Sequence, residues 1–156
     1  TPTSARVSRV VRGAVEEVWR AHHEAALMQR WRLGPDGWTM PVCEPAAEVG
    51  SRYRYEWEST DGTDRFGFEG EVLESIPPHR EVTTEAMIGM DGAPTRHEMT
   101  LTPADGATLL SVVITYPTTD LLEQIMATGM IDGMEASYAR LEEAVIGTDI
   151  ERTARV

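Results

Sequence analysis

His97 stands in the alternating run Arg96-His97-Glu98-Met99-Thr100-Leu101, in phase with Met99 and Leu101 and out of phase with the charged residues beside it. In a strand of period two, the imidazole points with the apolar side chains. There it can orient a hydroxyl or phenol, or act as an acid or base near neutral pH. Nine further side chains at strand or helix spacing would build an apolar wall: Trp31, Tyr55, Trp57, Phe68, Met99, Tyr116, Met126, Met130 and Met134. Methionine has three rotatable bonds and a polarisable sulfur, so such a wall adapts to irregular ligands. Gly129 and Gly133, four residues apart on one helix face, would leave room beside it. The competing reading is plain packing: regular apolar stripes usually mark a core, and an inward histidine is usually a satisfied buried or rim one.

Other chemistries fall away residue by residue. Cys43 is the single cysteine, which excludes an internal disulfide and a multi-cysteine metal site. It has no activating neighbour and reads as an inert thiol. His22 and His23 are adjacent, so on a helix they point about 100° apart and cannot chelate one metal together. The chain has no lysine, which removes Schiff-base chemistry and a phosphate-loop lysine. Zincin, nucleophile-elbow, dinucleotide and calcium-loop motifs are missing. No metal and no cofactor are expected, and no catalytic residue is assigned. A net charge of −12 repels nucleic acid, and the arginine-richest stretches (Arg6, Arg9, Arg12; Arg52, Arg54) are interleaved with other residues. Arg54, Glu56, Glu69, Glu71 and Arg96 are out of phase with the apolar set and should form solvated cross-strand pairs. A bulge that re-aimed Arg54 or Arg96 would instead make a carboxylate clamp.

The elements that must position these groups are read from turns and periodicity. The chain's 156 residues, 41% apolar and 26% charged, suit one globular domain, taken as residues 1–147 with a polar tail at 148–156. No apolar run reaches a membrane span and no signal-peptide core opens the chain, so a cytoplasmic protein is expected. Asp61-Gly62, Asp91-Gly92 and Asp105-Gly106 separate strand-like segments, as does Pro77-Pro78. Tyr53, Tyr55 and Trp57 share one face, and Phe66, Phe68 and Val72 continue it past Gly70, where a bulge is expected. Leu110, Val112, Ile114 and Tyr116 close the series. Two short helices are expected at 14–22 and 24–31, and a long one at 119–146 broken near Gly129. One apolar sheet face must be covered, and only the last helix is long enough to cover it.

A set of segments runs through the chain: Val15-Glu16-Glu17-Val18-Trp19-Arg20-Ala21, Arg30-Trp31, Gly34-Pro35, Gly50-Ser51-Arg52-Tyr53-Arg54-Tyr55, Phe68-Glu69-Gly70-Glu71-Val72-Leu73-Glu74 and Ile76-Pro77-Pro78. Thr128-Gly129-Met130, Gly133-Met134 and Arg140-Leu141-Glu142 complete it, in order, over roughly residues 5–146. Together they resemble the START-like SRPBCC superfamily, and within it the bacterial branch related to the C-terminal domain of the activator of Hsp90 ATPase. The resemblance implies an α+β helix-grip fold: a curved antiparallel sheet of six or seven strands around the C-terminal helix, with an internal cavity for a hydrophobic or amphipathic small molecule. The chain departs from the family at Trp31-Arg32, where two tryptophans are common, and at Met134, where Trp is common. It departs again after Pro77-Pro78, where Glu81 or Val82 takes an apolar place.

Three functions follow. The first is a binding protein holding a hydrophobic or aromatic molecule between sheet and helix, through the nine wall residues and His97. The second is a polyketide cyclase- or aromatase-like enzyme in the same cavity, with His97 joined there by Tyr116 or Glu56. The third is a chaperone-associated interaction module, which needs no cavity. It ranks below the others because the full-length activator has an N-terminal domain that 156 residues leave no room for. A homodimer stays open in each case.

Overall fold

A computed structural model describes residues 3–154, with side chains described as far as Val145. In chain order the elements are β1 (Ser4–Val11), α1 (Val15–Ala21), α2 (Ala25–Trp31), β2 (Trp38–Glu44), β3 (Arg52–Ser59) and β4 (Arg65–Ile76). Then come β5 (Arg80–Met87), β6 (Thr95–Ala104), β7 (Ala107–Thr115), α3 (Thr119–Met126) and α4 (Met130–Ala154). The seven strands form one curled antiparallel sheet in the order β1-β7-β6-β5-β4-β3-β2. The first strand therefore pairs with the last, and α1 and α2 carry the chain across to the opposite edge. The expected α+β helix-grip architecture is the one found.

Turn chemistry sets the meander. Asp105 (φ 49°) and Gly106 (φ 81°) both occupy the left-handed region, as a two-residue hairpin between β6 and β7 requires. Gly70 has a different role from the expected bulge: it pairs in register with Tyr53, and the β4–β5 irregularity falls at Val72/Glu74. A Cβ on Gly70 would lie 1.8 Å from the Thr84 carbonyl oxygen and 2.6 Å from the Tyr53 hydroxyl oxygen. The phenol crosses this bare stretch of backbone to donate to that carbonyl at 2.5 Å. Gly70 is thus a close-approach glycine.

The break expected near Gly129 divides the long helical segment into α3 and α4. Thr118 caps α3, its hydroxyl oxygen accepting from the Leu121 N–H at 3.1 Å. Gly129 then takes φ +81°, and α4 starts at the next residue. The helix continues through 148–154, the stretch set aside as a tail, whose side chains lie outside the described residues.

Two packed clusters flank the middle of the sheet. One joins α1 and α4 to β1, β6 and β7 through Val11, Val18, Leu101, Leu110 and Leu141, each fully buried and worth about 1.5–3 kcal/mol. The other joins α2 to β2 and β3 through Met28, Met40, Tyr53, Tyr55 and Trp57. Helix α2 stands at the seam, giving Met28 to one cluster and Trp31 to the other. Arg140 of α4 reaches the loop after α2, donating to the Gly34 carbonyl at 2.5 Å and to Asp36 at 2.9 Å. The space between the clusters is not filled.

Candidate functional site: a cavity with a charged floor

That space is a cavity of about 460 Å³ between the sheet and α4, within the range of about 300–1,000 Å³ common for small-molecule sites. Tyr55 and Trp57 of β3 and Phe66 and Phe68 of β4 supply one wall, and Met130, Met134 and Tyr138 of α4 the other. The rings are locked together: Trp57 stacks on Phe66 at 5.3 Å and meets Phe68 edge-on at 5.9 Å. Gly133 faces the same space, and a Cβ there would meet only Pro35, at 3.6 Å.

The floor is polar because β5 inverts the apolar-in pattern. Glu81, Thr83 and Glu85 face inward, while Val82 is buried on the opposite face. In register, Thr83 pairs with His97 and His97 with Ile114, which sets the imidazole in mid-floor. His97 Nε2 lies 2.9 Å from the Thr95 hydroxyl and 3.3 Å from Glu85 Oε2. Burial lowers the pKa of this imidazole, against the opposing pull of Glu85, so the ring is neutral at neutral pH. The other Glu85 oxygen lies 3.4 Å from the Tyr53 hydroxyl oxygen, whose proton goes to the Thr84 carbonyl.

Two more histidines, His22 in the cavity lining and His23 behind it, are shifted in opposite directions. Burial pushes His22 down to about 3; its Nδ1 lies 2.8 Å from the Val18 carbonyl and its ring meets Trp31 edge-on. His23 is also opposed by burial, but the hydrogen bond to Glu81 at 2.5 Å prevails and raises its pKa.

Arg32 is the cation of the site. It follows α2 with non-helical angles (φ −85°, ψ 56°), and its carbonyl accepts from Trp57 Nε1 at 2.7 Å. Its guanidinium carbon sits 5.0 Å from the centre of the Tyr55 ring, a cation–π contact. Among the described residues no carboxylate pairs with it.

Of the ten residues singled out from sequence, Trp31, Tyr55, Trp57, Phe68, His97, Met99, Met130 and Met134 line this cavity. Tyr116 and Met126 do not. Tyr116 is buried as its phase requires, but Met130 screens it from the cavity and takes its hydroxyl hydrogen bond at Sδ, 3.5 Å away. Met126 lies upstream of the break at Gly129 and packs on the α1–α4 cluster. Glu56 is on the outer sheet face, bonded to Arg54 at 3.1 Å and Arg65 at 3.2 Å, so it cannot join His97. Arg54 also pairs with Glu69, and Arg96 with Glu98; neither arginine reaches the cavity. Burial raises the Cys43 thiol, as suits an unreactive one. Among the described residues no three histidine, cysteine or acidic side chains gather to hold a metal.

A family model described as Activator of Hsp90 ATPase homolog 1-like protein matches residues 12–145. The chain belongs to this family. AHSA1-like proteins are part of the SRPBCC superfamily. Among solved structures, this AHSA1-like chain is similar to a Rhodobacter sphaeroides protein at TM-score 0.86 and 26% identity, over 94% of this chain and 95% of that one. An AHSA1-like protein from Aeromonas hydrophila gives TM-score 0.73 at 18% identity, over 90% and 93% of the two chains. DynU16, described as a putative protein in the dynemicin biosynthetic locus, gives 0.66 at 23% identity, over 92% of this chain and 47% of that one. No curated protein matches the sequence. No helix among the described residues is long and apolar enough to cross a membrane.

Proposed function

We propose that this AHSA1-like protein binds a small hydrophobic or aromatic molecule in the cavity between its sheet and α4. The observation that carries the reading is the unfilled space of about 460 Å³ faced with aromatic and methionine side chains. Burying roughly 200 Å² of apolar ligand surface there is worth about 5 kcal/mol before the costs of association. Native mass spectrometry of the purified protein, paired with thermal shift against flavonoids, aromatic polyketides and fatty acids, tests it. The expected result is a co-purified mass or a raised melting temperature that Met130→Trp abolishes. No bound mass and no shift across the panel would overturn it and turn attention to the surface as an interaction module.

A second reading, a cyclase- or aromatase-like enzyme, is favoured by the contact between His97 and Glu85 on the cavity floor. Glu85 and Thr95 hold Nε2–H, leaving Nδ1, which has no partner among the described residues, as the basic nitrogen. The likeness to a protein from the dynemicin biosynthetic locus agrees with it at the level of fold. Chemical change of a bound ligand that is lost in His97→Ala, with ligand still held, would establish it.

A further inference from the structure

The cavity contains one arginine that no carboxylate among the described residues contacts. Arginine cannot be deprotonated in a protein, so the Arg32 guanidinium brings a full positive charge into a wall otherwise made of rings and methionines. A desolvated charge is costly unless paired, and Arg32 has the face of Tyr55 and the longer-range attraction of Glu85, but no carboxylate at ion-pair distance among the described residues. The floor carboxylates have nearer hydrogen-bond partners, Glu81 in His23 and Glu85 in the neutral His97. Two phenols lie beside this cation. Tyr55 is under it, and Tyr138 stacks on Trp31, the residue before it, at 6.1 Å. Neither hydroxyl has a hydrogen-bond partner among the described residues, although both residues line the cavity. One free guanidinium fork and two free O–H donors thus border the same space.

We propose that Arg32, with the hydroxyls of Tyr55 and Tyr138, binds the carboxylate of an aromatic carboxylic acid whose ring system lies against Trp57, Phe68 and Met130. This rests on the cavity being a ligand site and adds the ligand's class to it. The planar fork matches two carboxylate oxygens. A single negative charge is selected because Arg32 alone is unpaired, and a dianion such as a phosphate monoester would meet the Glu85 carboxylate without a second cation. Glu85 also gives the cavity an acceptor for a ligand hydroxyl.

Calorimetric titration with 2-naphthoate and with its uncharged counterpart 2-naphthamide, at neutral pH, separates the two levels. The wild-type protein is expected to favour the carboxylate by about tenfold or more, the factor a charge-assisted hydrogen bond carries. Arg32→Met should bring the ratio near one. Glu85→Gln should tighten 2-naphthoate by removing a repulsion. Equal affinity for the two probes in the wild type, or a preference that survives Arg32→Met, overturns the carboxylate site and leaves the cavity reading standing. Binding of neither probe overturns both. The wild-type ratio decides even if Arg32→Met fails to fold, and Tyr138→Phe, which removes only a hydroxyl, should lower that ratio severalfold.

Discussion

Nε2 of His97 on β6 lies 3.3 Å from Oε2 of Glu85 on β5, a diagonal contact across neighbouring strands on the inner face of the sheet. Burial lowers the pKa of the imidazole and the carboxylate partly restores it. Glu85→Gln is therefore expected to lower the His97 pKa further, as followed by NMR titration of the ring protons. An unchanged or higher value would show that Glu85 does not act on the ring.

The acid side of the stability curve should be set largely by His22. Its folded pKa of about 3 lies below its ordinary 6.5, so between these values the unfolded chain binds the extra proton. Stability is full above about pH 6.5 and falls as pH drops toward 3, by a few kcal/mol in total, on the order of 1.4 for each unit. His97 acts in the same direction. His23, raised by Glu81, acts oppositely and loses its contribution as pH rises through its folded value. Melting temperatures measured between pH 4 and 7 should decline on acidification, and His22→Asn should flatten the decline.

Much of the fold was legible because its signals are local. Period-two alternation placed the inward faces of β3, β6 and β7, the Asp-Gly pairs marked turns, and Gly129 marked the helix break. The site was legible only where apolar side chains build it. Arg32 follows Trp31 at the end of a helix, where a basic residue ordinarily reads as a solvated partner of the helix dipole. Only the non-helical angles at position 32 turn it inward. Glu81 and Glu85 were missed because β5 buries Val82 on the outer face while Met87 is exposed at the strand end, so its one buried large apolar residue gives the wrong phase. The exclusion of Tyr116 depends on the Met130 side chain in front of it, a contact between distant elements that no periodicity carries.

Gly70→Ala tests the close approach beneath Tyr53. Its Cβ would collide first with the Thr84 carbonyl, so the strand must shift. A loss of roughly 2–3 kcal/mol is expected from urea unfolding with unchanged slope. The loss should persist with Tyr53→Phe, because the backbone oxygen is the nearer obstacle. A neutral effect would mean that the β4–β5 backbones are not this close.

Gly133→Leu should separate folding from binding. The new side chain meets only Pro35 at its base and improves helix propensity by up to about 1 kcal/mol. It also fills part of the cavity. Calorimetry should show an equal or higher melting temperature together with at least about tenfold weaker binding of 2-naphthoate, the cost of about 1.4 kcal/mol of lost contact. Undiminished binding would place the ligand elsewhere.

The most direct test of the cavity as a ligand site is isotope-filtered NMR of 2-naphthamide, which carries no charge, bound to labelled protein. Cross-relaxation should connect its ring protons to the methyl groups of Met130 and Met134 and to the indole of Trp57. Contacts confined to the outer sheet face around Arg54 and Glu69, or no contacts at millimolar ligand, would contradict the account.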